Sequence, residues 1–295
     1  MDSDPIPLDR ARLRLQAYLS LSKPGIIMGN SITAAAGFAL ASRGTWNGWL
    51  FLATLLGLAF IIGAACTLNN YIDRFADEKM SRTKNRPLVK GTISLNNAIR
   101  FALILGFCGT GLLICFTNLP ALGAALVGLS IYVFLYSFWK YRSVYSTLIG
   151  SIAGATPPVV GYAAVTESLD LGALLLFSLV TLWQIPHFFA IALYRLNDYK
   201  AAEIPVLPAV KGIHATKVQM LLYTVAFAIA AILPALFHFT GVLYLILSAI
   251  IALFWIALAL RGFWIKNEKI WARQMFLFSL VAIMTLCFMI AIDVQ

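Results

Sequence analysis

Apolar and polar positions in this chain fall in blocks. Charge-free runs cover residues 24–42, 44–72, 101–139, 143–166, 171–194, 218–260 and 274–292, and nearly all Lys, Arg, Asp and Glu sit in the short clusters between them. A helix of about 20 apolar residues spans the hydrocarbon core of a bilayer, so every run is long enough to cross one. Two runs are of double length and carry a break, Asn118-Leu119-Pro120 in one and the segment from Pro234 to Gly241 in the other. Proline, glycine and asparagine punctuate helices. Splitting both runs predicts an all-α polytopic membrane protein of nine transmembrane helices.

Composition agrees: 61% of residues are hydrophobic and 12% charged, which excludes a soluble globular domain and makes the bilayer the solvent. With nine spans, one side collects Arg10, Arg12, Arg14 and Lys23, then the cations of 74–100, Lys140 and Arg142, those of 195–217 and those of 261–273. The other side has Arg43 alone. This asymmetry predicts a cytoplasmic N-terminus, a C-terminus outside, and polar clusters that face the cytoplasm. The net charge of +10 then reflects topology and anionic headgroups, with no call for a nucleic-acid partner. The acidic start MDSDPIPLD lacks the basic region of a signal peptide.

Chemistry gathers where the second span ends, in NNYIDRFADEKMSRTKNRP (69–87). Asn69, Asp73 and Asp77 recur every four residues, so a continuing helix carries them as one polar stripe drifting about 40° per step. Magnesium is held by one or two carboxylates and completes its shell with phosphate oxygens and water, while Arg82, Lys84 and Arg86 just downstream can take phosphate charge. The stripe therefore reads as a metal–diphosphate site at a membrane surface. A helix-end ion pair, such as Asp73 with Arg74, needs no repeated spacing of this kind. The sixth span runs in the same direction as the second and ends in YRLNDYKAAEIPVLP (194–208), which brings Arg195, Asp198, Lys200 and Glu203 to the same side. Each cluster leads into a connection of roughly twenty residues, and long loops beside a membrane cavity commonly carry binding elements.

Asn69, Asp73 and Asp77, followed by Arg82-Thr83 and Arg86-Pro87, resemble the first aspartate-rich motif of the UbiA-type intramembrane prenyltransferases. The stretches LSKPGIIMGN (21–30), YRSVYSTLIGSIAGATPPVVGY (141–162), WQIPHF (183–188) and DYKAAEIPVLP (198–208) resemble the branch of that superfamily that farnesylates heme, and the likeness runs nearly end to end. The resemblance implies one prenyltransferase domain over 1–295, with 1–20 as a cytoplasmic N-terminal segment and nine helices around a central cavity in a bacterial inner membrane. It implies Mg²⁺-dependent transfer of farnesyl from farnesyl diphosphate to a vinyl group of heme b, with addition of water to give heme O. A heme–copper oxidase or a heme A synthase would be the neighbour that takes the product. In these terms Asn69, Asp73, Asp77 and Asp198 are expected to hold the metal, and Arg82, Arg86, Arg195 and Lys200 to grip the diphosphate. One departure is visible: where the wider superfamily places a second Asp four residues after the first, this chain has Ala202, with Glu203 beside it.

His187, Gln184 and Tyr194 are the expected heme contacts, because an imidazole within a span is a functional hypothesis by default and porphyrin iron takes such ligands. The alternative for His187 is a hydrogen bond to a carbonyl freed by Pro186, or to Gln184. Lys140-Tyr141-Arg142 reads as a topology anchor, with contact to the diphosphate or a heme propionate as the alternative. Gly150, Gly154 and Gly161 read as helix-packing positions, and the four cysteines, without metal-ligand spacing, as small buried hydrophobes. Two other functions stay open at this point: prenyl transfer to an aromatic quinone precursor, and a transporter or cation channel whose Asp stripe binds an ion in transit.

Overall fold

The computed structural model describes residues 7–295, with side chains from Arg12 onward. The start of MDSDPIPLD, read above for a leader, and the Arg10 side chain lie outside the described residues. A helix α1 (Pro7–Leu21) precedes α2 (Pro24–Ser42), α3 (Gly48–Lys79) and α4 (Leu95–Phe116). Then come α5 (Leu119–Trp139), α6 (Ser146–Thr166) and α7 (Leu171–Tyr194). Two short helices, α8 (Leu196–Ala201) and α9 (Leu207–Val210), lead into α10 (Gly212–Leu236), α11 (Val242–Arg261) and α12 (Glu268–Ile292). Among the described residues, nine helices are long and apolar enough to cross a membrane, α2 to α7 and α10 to α12.

Local chemistry sets the boundaries. Asn118 accepts from the Ala121 amide at 3.0 Å and Pro120 sits in the first turn of α5, so the break in the first double-length run is a capped helix start. Asn47 and Asp170 cap α3 and α7 in the same way, the latter accepting from the Gly172 amide at 2.9 Å. Helix α3 is the exception in length. Its 32 residues extend about 48 Å, against roughly 30 Å of hydrocarbon, so its C-terminal turns project past the apolar zone at the end of the bundle rich in Lys and Arg.

The helices pack as a ring: α3 lies on α4, α2 on α6, α7 on α10 and α12, and α12 returns to α2. Apolar residues cover the outside, with Leu103 and Phe107 of α4 and Leu253 and Phe254 of α11 fully outward, as a lipid-facing surface requires. Cys108 and Cys115 lie on this exposed face rather than in the interior, because α4 turns most of its surface outward; Cys66 and Cys287 are buried as expected. Helices α2 and α6 approach each other backbone to backbone. A Cβ added to Gly37 would meet the Pro158 carbonyl, and one added to Gly161 the Ala34 carbonyl, both backbone and unable to yield. Gly161→Val is therefore expected to abolish the folded, detergent-stable protein, whereas the same change at Gly111, where added volume meets nothing, leaves it intact; thermal unfolding of the purified variants reads the difference.

Candidate active site

The ring encloses a cavity of about 750 Å³ whose charged lining, Lys23, Asp73, Asp77, Arg82, Arg86 and Lys140, comes from the basic end. Asn69, Asp73 and Asp77 all line it and all are buried, so the four-residue spacing of the sequence does become one stripe on the inner face of α3. Each member is tied to a cation or a donor. Lys23 Nζ donates to Asn69 Oδ1 at 2.6 Å, and Asn69 Nδ2 donates to Ser137 Oγ at 3.1 Å. Asp73 accepts from Lys140 Nζ through one carboxylate oxygen and from Tyr141 Oη at 2.9 Å through the other. Asp77 accepts from Arg86 Nη1 at 2.5 Å, while its main-chain carbonyl takes the Thr83 hydroxyl at 3.0 Å.

The loop geometry follows from the sequence. Thr83 fastens the turn after α3 back onto that helix, which swings Arg86 round to Asp77, and Arg82 lines the cavity beside it. Lys23 has a left-handed backbone, φ 54°, directly before the proline that starts α2, a conformation that carries its side chain to Asn69. Burial pushes its ammonium down to about 8. The phenols of Tyr141 and Tyr199 are held above their usual range by burial, and Tyr141 also by the Asp73 carboxylate, so both remain donors at physiological pH. Cations and carboxylates thus alternate around one mouth, above walls such as Leu58, Ile61, Val180 and Ile283.

A π-helical turn at Ile131–Tyr136 shapes the same wall. It offsets the following residues so that Ser137 faces Asn69, and it stacks Tyr132 on Tyr136 with centroids 5.4 Å apart. Lys23 and this tyrosine pair are the site residues missed in sequence, while Lys140 and Tyr141, read first as an anchor, take the alternative role of lining the site. Lys23 looks in sequence like one more topology anchor, and only its place at a span end on the side of the Asp stripe sets it apart.

The remaining expected residues divide. Gln184 and His187 line the cavity. Gln184 Nε2 donates to the carbonyls of Ser151 and Val180, and a Cβ at Gly154 would collide with its side-chain oxygen, so Gly154 serves to seat Gln184 at the cavity wall. Gly150 likewise lines the cavity, against Tyr136, and is more than the packing position expected of it. His187 bonds to neither a freed carbonyl nor Gln184: its Nδ1 lies 2.6 Å from Ser279 Oγ of α12. Asp198, Arg195, Lys200 and Tyr194 are not among the cavity-lining residues. Asp198 accepts from the Ser81 amide and hydroxyl at 3.2 and 2.7 Å, clamping the loop after α3 to the start of α8, with Arg195 at 4.0 Å. Lys200 is exposed, and Tyr194 packs on the α7–α10 core beneath Arg195. Glu203 pairs with Lys79 at 3.3 Å in the open. The second cluster thus meets the first as expected, but through Asp198 on Ser81; Tyr199, Ile204 and Val206 are its members in the cavity wall.

An apolar shaft closed in by helices and crowned by paired carboxylates and cations is the layout of an intramembrane enzyme for chain-like substrates with anionic heads. The profile of the UbiA prenyltransferase family matches residues 30–281, and the chain belongs to that family. A protein from Protochlamydia amoebophila named protoheme IX farnesyltransferase is 54% identical over 94% of this chain and 98% of its own length. One of the same name from Edwardsiella ictaluri is 48% identical over 95% of each. Among solved structures, a digeranylgeranylglyceryl phosphate synthase superposes with a TM-score of 0.78 over 95% of this chain and 98% of that one, at 20% identity. A UbiA homolog from Archaeoglobus fulgidus bound to DMAPP and Mg²⁺ does so with a TM-score of 0.70 over 93% and 98%, at 18% identity. The fold is shared with both.

Proposed function

We propose that this protein, with the whole chain as one catalytic domain, transfers farnesyl from farnesyl diphosphate to a vinyl group of heme b, giving heme O. The observation that carries the reading is the 54% identity, spanning nearly the full length of both chains, to a protein named for this reaction. The cavity supports it: one opening holds the charges a diphosphate needs, and the walls below are apolar. The positive-inside asymmetry supports a basic end that faces the cytoplasm, and in this reading the diphosphate mouth opens on that side of a bacterial inner membrane.

Asn69, Asp73 and Asp77 offer an amide and two carboxylates to one cavity, a donor set of hard oxygens that fits Mg²⁺. When bound, Mg²⁺ would neutralise charge on the departing diphosphate. Among the described residues no three acidic, His or Cys side chains form a ready-made cluster, and diphosphate oxygens and water would complete the shell, as is usual for this ion. Arg82, Arg86, Lys140 and Lys23 hold the diphosphate and stabilise the charge that develops on it as the allylic carbon–oxygen bond breaks. Asp198, set on Ser81, acts by holding the loop that carries Arg82 and Arg86. Helix walls keep bulk water from the farnesyl cation. The vinyl group attacks the allylic carbon and one water adds to the resulting cation beside the porphyrin, releasing a proton; farnesyl diphosphate, heme b and water thereby balance heme O and diphosphate.

Purified protein offered farnesyl diphosphate and Mg²⁺ with either heme b or a hydroxybenzoate tests the acceptor. Consumption of heme alone is expected. Prenylation of the aromatic acid instead would keep the family and overturn the substrate, and cation flux through liposomes without either product would favour a transport protein.

A further inference from the structure

His187 is fixed on every side but one. Its ring stacks on Trp183 with centroids 4.9 Å apart, tilts against Phe276 at 5.1 Å and meets the edge of Phe188 at 5.4 Å. Its Nδ1 lies 2.6 Å from Ser279 Oγ, and that hydroxyl lies 2.6 Å from the Phe276 carbonyl. A carbonyl only accepts, so the single hydroxyl proton of Ser279 goes to Phe276 and its oxygen faces the imidazole as an acceptor. Nδ1 therefore carries the N–H, and the lone pair resides on Nε2. Ser279 is itself pinned, because its main-chain carbonyl accepts from Trp183 Nε1 at 2.7 Å.

Nε2 has no hydrogen-bond partner among the described residues, although the side chain is only 8% exposed and lines the cavity. It is not among the side-chain atoms sealed from solvent without a partner, so it opens onto that cavity. An imidazole with one nitrogen tied to an outer acceptor and the other bare is how a metal-ligating histidine is prepared, the outer hydrogen bond fixing both tautomer and ring orientation. The only metal in the proposed reaction that softly matches imidazole is the iron of the porphyrin; the oxygen-lined mouth suits Mg²⁺ instead.

We propose that His187 Nε2 ligates the iron of the heme acceptor, and that Ser279 is the positioning residue that presents it. The inference rests on the heme-acceptor reading above. One axial bond fixes the macrocycle against α7 and α12, so that the walls need only choose which edge meets the allylic carbon. Binding forms one iron–nitrogen bond and displaces water or a weak ligand from iron, with no change of oxidation state and no proton lost from an imidazole already neutral at Nε2.

The experiment is spectroscopic and uses the full chain in detergent micelles titrated with heme b. The wild-type ferrous nitrosyl complex is expected to show nitrogen splitting from a trans imidazole. In His187→Ala that splitting disappears, heme affinity falls at least about tenfold, and added imidazole restores both. Ser279→Ala keeps the ligation signature while affinity falls about tenfold, and Ser279→Thr recovers it. Wild-type protein that makes heme O but shows no trans-nitrogen splitting overturns the ligation and leaves the function standing. His187→Ala with an unchanged spectrum and affinity does the same, and Ser279→Ala identical to wild type removes the positioning role. Absence of both heme binding and heme product from the wild type would instead defeat the acceptor reading on which the inference stands.

Discussion

Asp73→Ala or Asp77→Ala is expected to lower prenyl transfer by about 10³-fold or more, while the protein still inserts and folds. Both carboxylates face one cavity, both are proposed to share the metal, and each also orients a cation of the diphosphate grip, Lys140 for Asp73 and Arg86 for Asp77. Removing one preorganised electrostatic group typically costs a factor of about 10²–10³, and here a metal ligand and the order of its partner cation are lost together. The substitution removes one member of a buried ion pair, so some stability is lost as well; detergent thermal unfolding must accompany the turnover assay. Near-normal turnover in either variant would remove the metal assignment.

The second large effect concerns Lys140. Its ammonium and the Asp73 carboxylate are both about nine-tenths buried, with side-chain exposures of 11% and 9%. Removing one partner of a buried pair leaves an uncompensated charge, at a cost of about 3–5 kcal/mol. Tyr141 still donates to Asp73 and the cavity admits water, so Lys140→Met is expected at the lower end, about 3 kcal/mol. Adding Asp73→Asn removes the stranded charge, and the double variant should regain most of that stability while remaining inactive. That pattern separates the two roles of the pair. A double variant as unstable as Lys140→Met would mean that packing of the lysine stem, rather than charge, carries the effect.

Much of this architecture was legible in advance. Membrane spans announce themselves because hydrocarbon demands long uncharged runs, and both internal breaks were marked by residues whose backbone chemistry ends or starts helices, Asn118-Pro120 and Pro234-Gly241. The Asp stripe was legible because helical periodicity converts four-residue spacing into one face, and α3 does continue past the apolar zone. What the sequence withheld were contacts between distant segments. Nothing local tells Lys140 from a topology anchor: its partner lies 67 positions away, and so it is with Lys23 and Asn69, 46 apart. Asp198 shows another contact that its sequence neighbourhood does not reveal. Its position and neighbours match a ligand, but the loop after α3 brings Ser81 to it first. His187 was singled out for being polar within a span, while Ser279, which gives the imidazole its tautomer, looks in sequence like any small residue of an apolar helix.

In the proposed reaction this cavity joins farnesyl to heme under carboxylates that would hold Mg²⁺. Chromatography and mass analysis of the product formed by purified protein from heme b and farnesyl diphosphate, with and without a chelator, tests it most directly. The expected product is a porphyrin that has gained one farnesyl group and one hydroxyl, formed only while Mg²⁺ is present. Heme recovered unaltered while the same preparation releases diphosphate onto another acceptor would contradict it.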